Sequence, residues 1–328
     1  MYDIFDMQQS DYAEVEDSTD FDPALIAAES ADQHFAALDR EGRIRARCSI
    51  WWRETAIVDD KRIGAIGHYA ADGVASAGVL LNHACRELKI RQCGVALGPM
   101  DGNTWRNYRL ITVRGPAKPF FLEPDNPDEW PTHFESTGFS NYLNYVSEIN
   151  PNFPGRQPEL GNLRDKFAEL KVTIEPLDMN CPASDLQGLY EVVSEAFAAS
   201  PLYTPLGFEN FVSLYAPLLT TVDPRLMLIA RHEGRVVGFV FAPPDYLQST
   251  NPEEIDTIVI KTIAILPRKE YSGLGRVLIV DMLKNAEAMG YCQAVSALMH
   301  TQNRSQQISA DCAGPMRRYA LFGRKLNG

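Results

Sequence analysis

The chain has 328 residues, 45% apolar and 23% charged, with a formal net charge of −12. At about 100–200 residues per domain this length suits two domains. The acidity argues against a nucleic-acid partner, because a phosphate backbone calls for clustered Lys and Arg, although it leaves room for a local basic pocket.

Residues 1–22 carry Asp3, Asp6, Asp11, Glu14, Glu16, Asp17, Asp20 and Asp22 and no Lys or Arg. Such a run reads as a solvated acidic arm, with Tyr2, Ile4, Phe5 and Met7 as its candidate contacts. The six cysteines form no Cys-x-x-Cys pair and the six histidines no His-Glu-x-x-His. Neither a metal site nor a disulfide framework is expected, and reduced thiols in a cytoplasm are the default. Neither a basic-then-apolar leader nor an apolar run of the ~18 residues that span a bilayer is present, so no membrane association is expected.

The next elements occur twice. "HFAALDREGRIRARCSIWW" (34–52) and "LMLIARHEGRVVGFVFAPP" (226–244) each hold an apolar strand, a Glu-Gly-Arg turn and a second strand. The glycine supplies the positive φ that a tight hairpin needs. A helix follows in each half: "GVLLNHACRELKI" (78–90), with Leu81, Ala84, Cys85 and Leu88 on one face, and "GRVLIVDMLKNAEAMG" (275–290), with Leu278, Met282, Ala286 and Met289 at helical spacing. In the second half this helix is preceded by "IVIKTIAI" (258–265), rich in β-branched residues. Each helix leads to another strand, "CGVALGPM" (93–100) and "QAVSALMH" (293–300). One duplicated unit explains this repeated order. "NPNFPGRQPELGN" (150–162), with its prolines and glycines, reads as the linker. The expected organisation is an acidic arm at 1–22, a first unit at 23–150, a linker at 151–170 and a second unit at 171–328, each unit a mixed α/β sheet with helices packed on it.

"RKEYSGLGRVLI" (268–279) carries the most specific signal. A helix start has free N–H groups and partial positive charge, and a loop of small residues lets a phosphate approach them. The loop lacks the Lys-Ser/Thr of a Walker motif. It also lacks the third glycine of a dinucleotide fingerprint, since Leu278 follows Gly273-x-Gly275, so a nicotinamide enzyme is a weak reading. The pattern left is the acyl-CoA pyrophosphate loop, Gln/Arg-x-x-Gly-x-Gly/Ala.

With that loop in place, "TIAILPRKEYSGLGRVLIVDMLKNAEAMGY" resembles the CoA-binding core of the GNAT superfamily of N-acetyltransferases. "ALMHTQNRSQQISADCAGPMRRYALF" is similar to the family's next strand, its Asn-led helix and a closing strand. The resemblance covers 171–328 in full, and 23–150 fits as a degenerate copy. It implies two tandem GNAT-like domains, each a mixed, mostly antiparallel sheet flanked by helices. It also implies that backbone groups of Ile263, Ala264 and Ile265 bond the pantetheine arm of acetyl-CoA, that N–H groups from Tyr271, Ser272, Gly273, Leu274, Gly275 and Arg276 hold the pyrophosphate, and that Asn303 contacts CoA. Two departures stand out. Glu270 occupies the usual Gln/Arg place, with Arg268 or Lys269 as compensating charge, and no Tyr lies between Arg304 and Ala313 to act as the family's frequent general acid. No carboxylate lies in the 258–263 strand to act as base.

The resemblance implies an N-acyltransferase, most simply an N-acetyltransferase, that moves the acyl group of acetyl-CoA to an amine by direct attack, with no metal. The acceptor is a small-molecule or peptide amine; the net acidity suits a cationic one, although net charge says little about a cleft. The alternative is a non-catalytic acyl-CoA or small-molecule binding protein on the same fold. Other polar residues read as structural: Lys261 facing solvent or an acidic neighbour, His300 at a strand end, Cys312 as a packed thiol, and "GPMDGNTW" (98–105) as a tight turn. "FFLEPDNPDEWP" (120–131) is expected to wall a substrate cleft or cover a sheet edge.

Overall fold

The computed structural model describes residues 2–13, 15, 21–178, 182–219, 222–301 and 314–326, with the side chains of 182, 183, 218 and 219 excepted. The elements run in chain order as β1 Asp3–Asp6, α1 Ala24–Ala28, β2 Gln33–Leu38, β3 Ile44–Trp51, β4 Ile57–Val58, β5 Lys61–Ala71, α2 Val74–Ile90, β6 Val95–Gly98, β7 Leu110–Val113, α3 Trp130–Ser136 and β8 Ser140–Asn150. They continue as α4 Gly161–Glu169, β9 Val172–Pro176, α5 Pro182–Ala196, α6 Phe208–Leu219, β10 Met227–His232, β11 Arg235–Phe241, β12 Thr257–Ile260, β13 Thr262–Ile265, α7 Leu274–Ala288, β14 Gln293–His300 and β15 Gly314–Lys325.

Both expected hairpins form. β2 pairs antiparallel with β3 and β10 with β11, with Gly42 at φ +78° and Gly234 at φ +77° in the turns, a backbone region that costs a side-chain-bearing residue energy. The faces of α2 and α7 are buried at Leu81, Ala84, Cys85 and Leu88 and at Leu278, Met282 and Ala286. Each helix connects strands in a parallel pair, β5 with β6 and β12 with β14, whereas every other pairing among the described residues is antiparallel. That shared topology is the duplication seen directly.

The sheets do not respect the halves. One sheet runs β1-β2-β3-β5-β6-β15-β8-β14-β12, and a four-stranded one runs β13-β11-β10-β9. The last strand of the chain, β15, lies against β6 of the first half, while β8 of the first half lies against β14 of the second. β8 and β15 also pair with each other, so the closing strands are exchanged. Periodicity within a strand identifies its buried face but not its neighbour, which is why the exchange was not foreseen.

Two expectations about the connecting regions are corrected. Residues 151–170 are not a featureless linker: α4 fills their second half and packs Phe167 into the core of the second unit. The 1–22 segment is not simply a solvated arm, because β1 adds to the sheet edge beside β2, Met7 is buried, and Tyr2 and Ile4 pack on the first core. Phe5 stays exposed.

β15 is fastened by a buried ion pair. Arg317, 1% exposed, bonds the Glu123 carboxylate and donates from Nε to Arg114 O at 2.8 Å; Tyr319 donates to the same carboxylate. Breaking one side of such a pair strands a buried charge, at about 3–5 kcal/mol, whereas removing both charges costs far less. Arg317→Met is therefore expected to destabilise the chain by about that amount. Arg317→Met combined with Glu123→Gln should recover most of the loss, as read by urea unfolding. Equal losses in the single and double variants would contradict this account.

Candidate active site

The second unit contains a wedge. β12 and β14 pair in parallel from Thr257↔Gln293 to Ile260↔Ser296, and there the two strands separate. β13 continues with β11 in the small sheet, while Met299 and His300 continue with β8 in the large one. A one-residue slip marks the parting: Pro244 bridges Ile258, but Phe241 opposes Thr262, so Lys261 is an extra residue in its strand. Such a bulge re-aims a side chain. The ladder on β14 also shifts between Ser296 and Met299, where Leu298 takes φ +58°.

The wedge opens into a cavity of about 710 Å³. Its floor is Ile260 to Ile263 and Ser296 to His300, and α7 contributes Arg276, Ile279, Val280 and Leu283. The first half supplies Thr104 to Arg109, Tyr145, Leu122 and Pro124, and the connecting stretch supplies Phe153, Arg156 and Gln157. The 120–131 segment thus does wall a cleft. The 98–105 segment is more than a turn, since Thr104 and Trp105 reach the cavity.

β13 is the edge strand of its sheet. Leu266 N donates to Val237 O at 2.9 Å, and because antiparallel bonding alternates, the N–H and C=O of Ile263 and Ile265 turn to the open edge while Ala264 bonds β11. The side chains of Ile263 and Ile265 lie under the first turn of α7: a Cβ on Gly275 would meet Ile263 Cδ1 at 3.1 Å and Ile265 Cγ1 at 3.6 Å. Gly273 precedes the helix at φ +93°, and a Cβ there would meet Leu163 Cδ2 at 2.7 Å. The first bond closing the turn is Arg276 N to Gly273 O at 3.1 Å, so the Leu274 and Gly275 N–H groups precede any helical partner. Ser272 is exposed and its carbonyl accepts from Lys166 Nζ at 2.8 Å, which places an ammonium beside the loop. Arg268 is engaged with Glu195, while Glu270 is exposed. The Tyr271 hydroxyl is held by His232 Nδ1 at 2.9 Å, a structural contact. Asn303 and Cys312 lie outside the described residues.

The matching wedge of the first unit is closed by its own chain. β5 and β6 pair only from Ile63↔Val95 to Ala65↔Leu97; Met100 N then donates to Ile66 O at 2.7 Å, and Asp101 Oδ1 accepts from His68 N at 2.6 Å. A Cβ on Gly67 would meet Met100 O at 2.4 Å, so no space is left. At the start of α2 the Asp72 carboxylate, bonded by Ser76 Oγ at 2.6 Å, stands where a phosphate would have to approach. Glu29, His68 and Asp101 hold three possible metal-ligand atoms within 4.8 Å, but His68 Nε2 already contacts Glu29 Oε2 at 3.1 Å and Asp101 serves the His68 backbone.

The electrostatics of the open cavity oppose those of the whole chain. Arg106, Arg109, Arg156, Lys261 and Arg276 line it, and no Asp or Glu does among the described residues. Of the two surroundings expected for Lys261, solvent or an acidic neighbour, the structure gives the second: its Nζ donates to Leu122 O at 3.0 Å inside the cavity, within electrostatic reach of Glu123. Burial, reinforced by the Arg109 charge and partly opposed by Glu123, lowers its ammonium to about 7. The same burial and the same arginine lower His300, whose ring packs edge-on against Tyr145. Tyr319 is no acid for this site, being buried against Glu123 and Ser147. Tyr108, Tyr145, Tyr203 and Tyr215 bring phenols to the cavity instead, which no spacing in the sequence announced.

A lysine lowered in the folded state disfavours folding most when both states would otherwise be protonated, and that penalty shrinks as pH rises from about 7 toward the unfolded value. Lys261→Met is therefore expected to raise stability most below pH 7, with the gain fading toward pH 10. Denaturant unfolding across that range checks it, and a gain independent of pH would contradict it.

No family model matches the chain. It is 29% identical over 136 residues to an uncharacterized N-acetyltransferase, YjhQ, of Escherichia coli K12, a match covering 40% of this chain and 67% of that protein. Its fold matches the crystal structure of a GCN5-related N-acetyltransferase from Sphaerobacter thermophilus over 100% of this chain and 96% of that one, at TM-score 0.53 and 12% identity. It also matches a tandem GNAT protein from the clavulanic acid biosynthesis pathway over 100% and 99%, at TM-score 0.51 and 9% identity. It matches a fungal protein with a GCN5-related glucosamine N-acetyltransferase region at TM-score 0.55 and 13% identity, and there the chain spans only 38% of the other protein's length. With the duplicated strand-helix-strand unit, these likenesses show that the chain has the fold of tandem GNAT proteins and is similar in part of its sequence to an N-acetyltransferase.

Proposed function

We propose that the chain is an acyl-CoA-dependent N-acyltransferase, most simply an acetyltransferase, with one active site at the second-unit wedge. The observation that carries this reading is the parting of β13 from β14 beside the start of α7. A pantetheine arm is an extended chain with amides, and it adds to the open edge of β13 through Ile263 and Ile265 as a further strand. Its pyrophosphate then falls at the N–H groups of Gly273 to Gly275, with Lys166 and Arg276 offsetting Glu270. Asn303 remains a proposed CoA contact by resemblance alone. The closed first wedge supports a division in which residues 23–150 wall the site and residues 171–328 hold the cofactor.

The thioester lies near the bulge at Lys261. An amine attacks its carbonyl carbon, a C–N bond forms, the C–S bond breaks, and the proton released by the amine ends on the CoA thiolate. The enzyme supplies proximity and dipoles fixed in a site apart from bulk water. Lys261, neutral in part near pH 7, is the base that relieves the ammonium of its proton. A built cavity with a lowered lysine favours an enzyme over the non-catalytic binding protein.

Calorimetric titration with acetyl-CoA is expected to give one site per chain. Gly275→Glu should abolish it in a folded protein, because the new side chain enters between α7 and Ile263. Two sites per chain, or binding that survives this change, would refute the wedge assignment. In CoA-release assays kcat/KM is expected to rise with pH through about 7 and then level off. Lys261→Met should lower it about 100-fold or more and remove that limb.

A further inference from the structure

Arg109 is 8% exposed, lines the cavity, and has no carboxylate partner among the described residues. Its guanidinium lies between two aromatic rings, 3.8 Å from the Tyr108 centroid and 4.1 Å from that of Tyr145. It donates from Nε to Tyr108 O and from Nη1 to Leu298 O, both at 3.2 Å. Those bonds leave donors of its five N–H groups unused. Burying a cation without a counter-charge is costly, and its field reaches Lys261 and His300, disfavouring the charged form of each.

The surrounding backbone is strained to hold this arrangement. Arg109 itself has φ +75°, Leu122, which accepts the Lys261 hydrogen bond, has φ +63°, and Leu298, which anchors Arg109, has φ +58°. Left-handed conformations at residues with side chains persist only where the surroundings enforce them, and they gather at ligand sites. Three of them border one cavity here.

We propose that the acceptor is an amine that also carries a carboxylate, and that Arg109 seats this carboxylate beside the bulge at Lys261. A guanidinium stacked flat between two rings is oriented in advance to meet a planar carboxylate along its edge. The charge belongs to the acceptor end and not to the cofactor phosphates, because Arg109 is anchored on β14 and beside Lys261 where the strands part, whereas the phosphate loop precedes Arg276 on α7. Four arginines and a lysine, with no carboxylate among the described lining residues, favour an anionic group on the acceptor over a polyamine, and reverse the cationic acceptor that net charge suggested. This inference rests on the acyl-transfer reading of the cavity.

The test compares CoA release from acetyl-CoA with free amino acids, their methyl esters and amides, and aliphatic diamines. Free acids are expected to be preferred over their own esters by about 30-fold or more in kcat/KM. Arg109→Gln should erase that preference by slowing the acids far more than the esters, and Arg109→Lys should restore part of it, with acetyl-CoA affinity unchanged in both. Esters, amides or diamines used as well as the acids, turnover of none of the acids, or an unchanged preference in Arg109→Gln would overturn the proposal. The acid-ester comparison on the unaltered protein decides it even if the variants misfold. Acetyl-CoA titration reads the cofactor assignment separately, so its failure is distinguishable from failure here.

Discussion

The Arg317–Glu123 pair joins what the chain order separates. Arg317 belongs to the last strand and Glu123 to an irregular segment of the first half, 194 positions earlier. Their side chains are both fully buried, so neither can leave without stranding the other. Tyr319 on the same strand closes on the same carboxylate and on Ser147 of β8. β15 is thereby held between β6 and β8, and the exchange of closing strands becomes part of one sheet. Leu122 is adjacent to Glu123, and its carbonyl receives Lys261. The pair therefore fixes, through one peptide, the wall opposite the wedge.

The two units show how one topology becomes an open wedge or a closed one. Both have a parallel pair that separates past its first residues. In the second the gap stays open, because β13 goes to one sheet and β14 to the other. In the first, Met100 and Asp101 double back and bond Ile66 and His68 across the gap. The same loop then continues to Trp105, Tyr108 and Arg109, which line the open cavity. The degenerate unit gave up its own wedge and with that chain furnished its partner's.

Charge is organised on the scale of the cavity and not of the chain. A net charge of −12 coexists with a pocket lined by four arginines and a lysine and by no carboxylate among the described residues. Outside the pocket several arginines pair with carboxylates, as Arg164 does with Asp281 and Arg231 with Asp185 and Glu175, and Arg106 of the pocket itself reaches Glu29 behind the wall. A pocket that concentrates one sign inside low-dielectric walls focuses its field on what enters. Summed composition cannot report that separation, because it counts each residue once and assigns it no place.

The hairpins at Gly42 and Gly234, the apolar faces of α2 and α7, the span of β14 and the small-residue loop before α7 were legible in the sequence, because each depends on neighbours within about four positions. So was the duplication, which is a repeated order of such local units. Arg109, Leu122 and Tyr145 were not, and Lys261 was legible only as a residue facing solvent or an acidic neighbour, not as part of a cavity. Their meaning comes from a one-residue bulge, from left-handed backbone at three unconnected positions, and from strands that change partners between halves. Local periodicity determined which residues are strand and helix and which faces are buried. Only tertiary structure decided which wedge is open and which charges meet there, since burial and pairing between distant segments set the energy of those groups.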